Sequence, residues 1–295
     1  METTAGLTPE RLLRRLEWQV IRRLDGRLQG DYRTLLRGHG TDFRDLRDYE
    51  WGDDVRHIDW NVTARMDELF VREFMEDREL TAWLLLDRSR SMAFGAVDRT
   101  KEQVLYELAA TLGQLLVRGG NRIGAGGYDG DHQWTIPPRQ GRNQVLALVR
   151  ELLRPVGGGP VTDLNKLLDN AARLVRRRSL VVLISDFISE PGWERSLLRL
   201  TERHEVVAVR LVDRREYELP DAGLLVVQDA ETGEQLVIDS SDPELRRRLL
   251  AAAEEQDAAI RHAVARAGVD LHVVSTDDDL VSAFVRMAGA HRRRR

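Results

Sequence analysis

Cysteine is absent from the 295-residue chain. Disulfides and thiol catalysis are therefore excluded, and a reducing compartment such as the cytoplasm is the expected location. Lysine is nearly absent as well. Of the 45 Lys and Arg side chains only Lys101 and Lys166 are lysine, a bias that fits genome composition. No apolar run is long enough to span a bilayer, and Met1 to Glu10 lacks the basic-then-apolar pattern of a secretory signal. An excess of positive charge is also missing. The net charge of −4 argues against a nucleic-acid binder. The terminal Arg292-Arg293-Arg294-Arg295 run reads as a solvated tail, with attraction to phosphates or acidic surfaces as the other reading. No glycine cluster spells the GxxxxGK[ST] or GxGxxG of a nucleotide site, and no GxSxG elbow surrounds a serine.

What is present supports a folded core. Hydrophobic residues make up 42% and charged residues 32%, which suits one large α/β domain with an appendage or two small domains. Leu12, Leu13, Leu16, Val20, Ile21 and Leu24 fall on one face of a helix expected over Pro9 to Leu28, with Thr8 as N-cap and Pro9 at the first helical position. Packing against the main domain is the favoured role for that face, and membrane-surface binding is the other. From Thr81 onward, strand and helix patterns alternate. Strands are expected at Thr81–Leu86, Arg122–Tyr128, His132–Pro137, Leu180–Ser185, Glu205–Val212 and Asp270–Val274. A separate hairpin is expected at 224–228 and 235–238. Such alternation implies α/β with a mainly parallel, doubly wound sheet. The expected division is 1–79, the N-terminal helix with a short β segment, and 80–295, the α/β domain.

The chemistry concentrates at strand ends. The apolar run Leu84-Leu85-Leu86 stops at Asp87-Arg88-Ser89-Arg90-Ser91, placing one carboxylate and two hydroxyls in a tight loop. The run Leu180 to Ile184 stops at Ser185-Asp186. Between them, Gly157-Gly158-Gly159-Pro160-Val161-Thr162-Asp163 adds a third hydroxyl before a helix. In an open α/β sheet the carboxyl ends of the strands hold the ligand. Hard oxygen donors without His or Cys suit Mg²⁺, or Mn²⁺. A polar turn capping a strand is the plainer alternative, because Asp and Ser are common turn residues.

DxSxS, then Thr, then Asp, in this order and topology, resembles the metal-ion-dependent adhesion site of von Willebrand factor type A domains. The resemblance implies Ser89, Ser91 and Thr162 as direct or near-direct ligands. Asp87 and Asp186 are implied as ligands directly or through water. An acidic side chain of a partner protein would complete the shell.

A second stretch narrows the family. From Gly40 to Arg65 the chain reads G-x-D-F-x-x-L-R-x-Y-x-x-G-D-D-x-R-x-I-D-W-x-x-T-A-R. This resembles the signature of the bacterial "domain of unknown function 58" family, and the resemblance extends over essentially the whole chain. Density of Arg and Asp beside Phe43, Tyr49, Trp51 and Trp60 suggests paired charges around aromatic anchors, with Arg47, Arg56, Asp59 and Arg65 partly buried. Whether this segment braces the sheet or forms an interaction surface is left even. The family resemblance implies an adaptor or co-chaperone of a MoxR-type AAA+ ATPase. The expected function is thus a metal-dependent protein-interaction module, not an enzyme. The competing reading is a Mg-dependent phosphohydrolase with Asp87 as nucleophile. It is disfavoured because position 89 is Ser where a second carboxylate is needed, and because no lysine follows the strands to clamp a phosphate.

Overall fold

The computed structural model describes residues 8–24, 43–50, 53, 55, 58–66, 68–74, 80–95, 99–129, 132–155, 163–228 and 235–292. In chain order the elements are α1 (Pro9–Leu16), β1 (Phe43–Asp48), α2 (Trp60–Met66), β2 (Phe70–Phe74), β3 (Thr81–Asp87) and α3 (Lys101–Arg118). There follow β4 (Arg122–Tyr128), β5 (Gln133–Arg139), α4 (Arg142–Leu152), α5 (Leu164–Leu174), β6 (Leu180–Ser185), α6 (Trp193–Thr201) and β7 (Glu205–Val212). The last are β8 (Leu224–Gln228), β9 (Gln235–Asp239), α7 (Pro243–Arg266), β10 (Asp270–Ser275) and α8 (Leu280–Arg292). Contacts divide the chain into Met1–Leu35 with Thr81–Arg295 as one unit, and Leu36–Leu80 as another.

The larger unit is built on a six-stranded sheet in the order β10-β7-β6-β3-β4-β5. Every neighbouring pair is parallel except β4 and β5. β3 and β6 are buried along nearly their whole length, because helices cover both faces. Such strands read as continuous Leu, Ile and Val runs without alternation. On one face Trp83, Leu85, Val181, Leu183 and Ala208 pack with apolar residues of α5, α6 and α7. Over the other face lies α3, against β3, β4 and β7. The chain leaves β3 for β4 on one side and returns to β6 on the other, so the winding reverses between β3 and β6. This is the mainly parallel, doubly wound α/β architecture expected from the sequence.

The N-terminal helix carries the stripe read from its period: Leu12, Leu13, Leu16, Val20, Ile21 and Leu24 are all buried. Thr8 caps it, accepting the Arg11 N–H. A π-helical turn over Glu17–Ile21 continues it. The stripe packs on α3 and α4, and Arg15 reaches the buried Glu107 of α3 at 3.1 Å. The helix therefore belongs with the sheet unit. The expected 1–79 and 80–295 division had grouped it with the signature segment, because sequence proximity hides which surface an apolar stripe will cover.

Within the smaller unit β1 and β2 pair antiparallel. Between them stands a helix, α2, that the sequence reading missed. Asp59 is its start signal: the carboxylate accepts the Val62 N–H at 3.3 Å, and the Asp59 carbonyl accepts the Thr63 N–H at 2.9 Å. Asp59, expected to be partly buried, is buried, as is Ile58 before it, but Trp60 is 64% exposed and Arg65 is exposed. The aromatic-anchor reading fails at Trp60, which sits at the start of a short solvent-facing helix. Arg56 and Trp51 lie outside the described residues.

Asp59→Ala should expose donors at the start of α2 and lower stability by about 1 kcal/mol, whereas Asp59→Asn keeps an accepting oxygen and should cost less. Denaturant unfolding of both variants checks this. Equal losses in the two would contradict the capping role.

Candidate metal centre

The site follows from where two apolar strands end. Leu86 of β3 lies opposite Ile184 of β6 in the parallel register. The residues that end each run, Asp87 and then Ser185-Asp186, therefore emerge side by side at the switch point, where open α/β sheets form their binding crevice. Asp87, Ser89, Ser91 and Asp186 gather at this edge, each buried. Thr162 lies outside the described residues. Asp163 beside it is the N-cap of α5, accepting the Asn165 N–H at 3.0 Å.

Both oxygens of Asp87 are used. Oδ1 accepts the Ser89 N–H at 3.0 Å, which folds the DxSxS loop back over the strand end. Oδ2 accepts the Ser185 hydroxyl at 2.6 Å. Ser185 Oγ in turn accepts the Phe187 N–H at 2.8 Å. Phe187 has φ 63°, the only positive φ outside glycine among the described residues. A bulky residue in that region is strained, and such strain clusters at functional sites. Its ring is locked edge-on against Trp193, 5.3 Å away. Ser89 Oγ and Ser91 Oγ share a hydrogen bond of 3.1 Å.

Asp186 is engaged differently. Oδ1 accepts the Ile188 N–H at 3.0 Å. Oδ2 accepts from Lys101 Nζ at 2.7 Å. Lys101 is the first residue of α3 and is fully buried; its ammonium also bonds Glu216 in the turn after β7. Glu216 Oε2 accepts the Asp213 N–H at 2.9 Å, so that turn is tied to the same cluster. Arg88, between the expected ligands, is buried too. Its guanidinium donates to the Glu151 and Arg154 carbonyls at 3.2 and 2.7 Å and to the Tyr106 hydroxyl at 2.8 Å. A cation suits the carbonyl end of α4, and this one ties the DxSxS loop to the helix that leads into the 157–163 segment.

Electrostatics follow from burial. Loss of solvent pushes the Asp87 carboxyl up to about 6; the neighbouring Asp186 charge adds to this, and hydrogen bonds from Ser185 and Ser89 oppose it. Burial pulls the Lys101 ammonium down, but Asp186 and Glu216 outweigh it and carry its pKa above the usual lysine range. With Asp87 ionised, the cluster holds three carboxylates, of which Asp186 and Glu216 share the one ammonium while Asp87 has only hydrogen bonds.

The donor set fits Mg²⁺ in kind. Neighbouring ligands of an octahedral ion with bonds of 2.0–2.1 Å stand about 3 Å apart, and the two serine oxygens are 3.1 Å apart. Among the described residues no three His, Asp or Glu side chains are grouped to hold an ion, so hydroxyls and water would share the coordination.

Three residues of this cluster escaped the sequence reading: Ser185, Glu216 and above all Lys101. No lysine directly follows the strands in sequence, yet Lys101, fourteen residues after Asp87, reaches the site from the start of α3. Its signal was the rarity of lysine. Lys166 also borders this edge, 3.6 Å from Asp163 and 5.8 Å above the ring of Tyr128, the residue opposite Asp87 on β4.

Because Asp87 has a raised pKa in the folded state, the native protein holds its proton more tightly than the unfolded chain. In chelator, stability should therefore fall as pH rises from about 4 to about 6 and level off above, by roughly 3 kcal/mol at most. Asp87→Asn should flatten that slope and melt higher than the parent at pH 7.5. A variant that melts lower there with its slope intact would contradict the assignment.

The family model described as protein of unknown function DUF58 matches residues 45–259. An uncharacterized protein of Mycobacterium tuberculosis is 38% identical over 283 residues, covering 95% of this chain and 89% of that one. An uncharacterized protein of Mycobacterium bovis matches with the same figures. Solved structures with a similar fold include the conserved hypothetical protein BatB from Bacteroides thetaiotaomicron, at 13% identity over 72% of this chain and 99% of that one, TM-score 0.41. A von Willebrand factor type A structure from Catenulispora acidiphila has 11% identity over 74% of this chain and 43% of that one, TM-score 0.39. The family match runs from the signature segment through most of the sheet, and the relatives align over nearly the whole chain: this protein belongs to the family of proteins of unknown function DUF58.

Proposed function

We propose that the protein is a divalent-metal-dependent protein-interaction module, acting as an adaptor or co-chaperone of a MoxR-type AAA+ ATPase. The observation that carries the reading is the convergence of Ser89 Oγ and Ser91 Oγ, 3.1 Å apart, beside two buried aspartates at the sheet's switch point. Mg²⁺ or Mn²⁺ would be held by Ser89, Ser91, Asp87 and Asp186, with Thr162 as the further hydroxyl. Such an ion keeps positive charge toward solvent and accepts an acidic side chain of the partner. The ATPase assignment rests on the family resemblance carried by residues 40–65. No helix among the described residues is long and apolar enough to cross a membrane.

The phosphohydrolase alternative gains one feature, the lysine in the site. Two others weigh against it. Lys101 is held between Asp186 and Glu216 rather than turned toward a substrate, and Asp87 has both oxygens bonded and no exposure with which to attack.

Calorimetry on chelator-stripped protein should show one Mg²⁺ or Mn²⁺ site that disappears in Ser89→Ala/Ser91→Ala. Heat that persists in the double variant would place the ion elsewhere. Capture of a purified MoxR-type ATPase should require the divalent ion and be lost in Asp87→Ala at unchanged folded content. Turnover of a phosphomonoester that vanishes in Asp87→Asn would instead establish the enzyme reading.

A further inference from the structure

Lys101 is one of two lysines in a chain whose other basic side chains are arginine. It sits at the first position of α3, where the helix dipole disfavours a cation. It is fully buried, and its ammonium lies 2.7 Å from Asp186 Oδ2 and against Glu216. A compact ammonium on a flexible stem fits between two carboxylates from different strand ends, whereas a planar guanidinium demands more room and a fixed fork. Its two carboxylate partners offset the cost of burying that cation.

Both oxygens of Asp186 are engaged. Oδ1 is taken by the Ile188 N–H and Oδ2 by Lys101. Asp87, by contrast, is bonded by no ammonium among the described residues; the Ser89 N–H and the Ser185 hydroxyl donate to it. The two aspartates are therefore neutralised by different means.

We propose that Lys101 is a tethered counter-ion that competes with a divalent cation for Asp186. Without the ion, Lys101 holds Asp186 and offsets part of the repulsion within the buried pair of aspartates. When an ion settles on the Ser89–Ser91 side and draws on Asp186, the ammonium shifts its weight to Glu216. Glu216 already accepts it and also accepts the Asp213 N–H that opens the turn after β7. Ion binding is thereby transmitted to the 213–216 turn, and Lys101 sets the affinity by raising the cost of reaching Asp186. The inference rests on the ion-binding reading of the site only for the identity of the competitor.

The lysine count makes a direct test available. Protein labelled with ¹³C,¹⁵N-lysine gives two side-chain ammonium signals, and Lys166→Arg assigns them. Adding Mg²⁺ to the unmodified protein should shift the Lys101 signal in step with the binding seen by calorimetry. In parallel, Lys101→Met, which keeps length and removes charge, should bind Mg²⁺ at least tenfold more tightly than the parent. It should also gain more melting temperature from the ion. A Lys101 signal that stays put at saturating Mg²⁺, with Lys101→Met binding no tighter, overturns the proposal while leaving the metal site standing. Mg²⁺ binding by Lys101→Met but not by the parent supports the tethered counter-ion and removes the metal-dependent function. Binding by neither overturns both. Should Lys101→Met fail to fold, the lysine signal of the parent decides alone.

Discussion

Asp87 and Asp186 are two carboxylates buried next to each other at the ends of the central strands, and the rest of the site is organised around neutralising them. Removing a charge from water costs several kcal/mol unless it is paired or hydrogen-bonded. The sheet creates the problem itself: β3 and β6 are adjacent, parallel and buried on both faces, so whatever ends them is buried too. Three devices answer it. Backbone N–H groups of Ser89 and Ile188 donate to the carboxylates, Ser185 donates its hydroxyl to Asp87, and Lys101 supplies a full positive charge to Asp186.

The surrounding elements hold these devices in place. α3 begins with a capping box in which Thr100 and Gln103 satisfy each other's backbone N–H groups, which fixes Lys101 at the helix start. Arg99 reaches the Thr276 and Asp278 carbonyls past the end of β10 and pairs with Glu107 of the same helix. Glu107 also receives Arg15 from α1. The N-terminal helix thus supports the helix that delivers the lysine. Arg88 links the DxSxS loop to the end of α4 through two carbonyls. Loop geometry at the sheet edge is set by buried cations on both sides.

The strands and most helices were legible because both-face burial and helical amphipathicity leave strong periodic patterns. The stripe from Leu12 to Leu24 is the plainest example, since every one of its residues is buried. Local signals were weaker where one residue carried them. α2 was missed because Asp59 lies in a stretch dense in Arg and Asp, where a capping carboxylate looks like another paired charge. In the site, Asp87, Ser89, Ser91 and Asp186 could be named because chemistry and strand ends coincide in sequence. Lys101 could not. It belongs to a helix pattern starting fourteen residues after Asp87, and only the packing of α3 over β3, β4 and β7 turns its side chain toward Asp186. Glu216 joins from the far end of β7 by the same logic: side chains remote in sequence meet because the strand order brings their loops to one edge.

The central claim is that this edge holds a divalent cation beside its own lysine. Crystals grown with Mn²⁺ and measured at a wavelength sensitive to manganese test it most directly. The account predicts one strong anomalous peak in contact with the Ser89 and Ser91 hydroxyls, with Lys101 drawn off Asp186 toward Glu216. Diffraction at high Mn²⁺ with no peak at that position, and Lys101 still seated on Asp186, would contradict it.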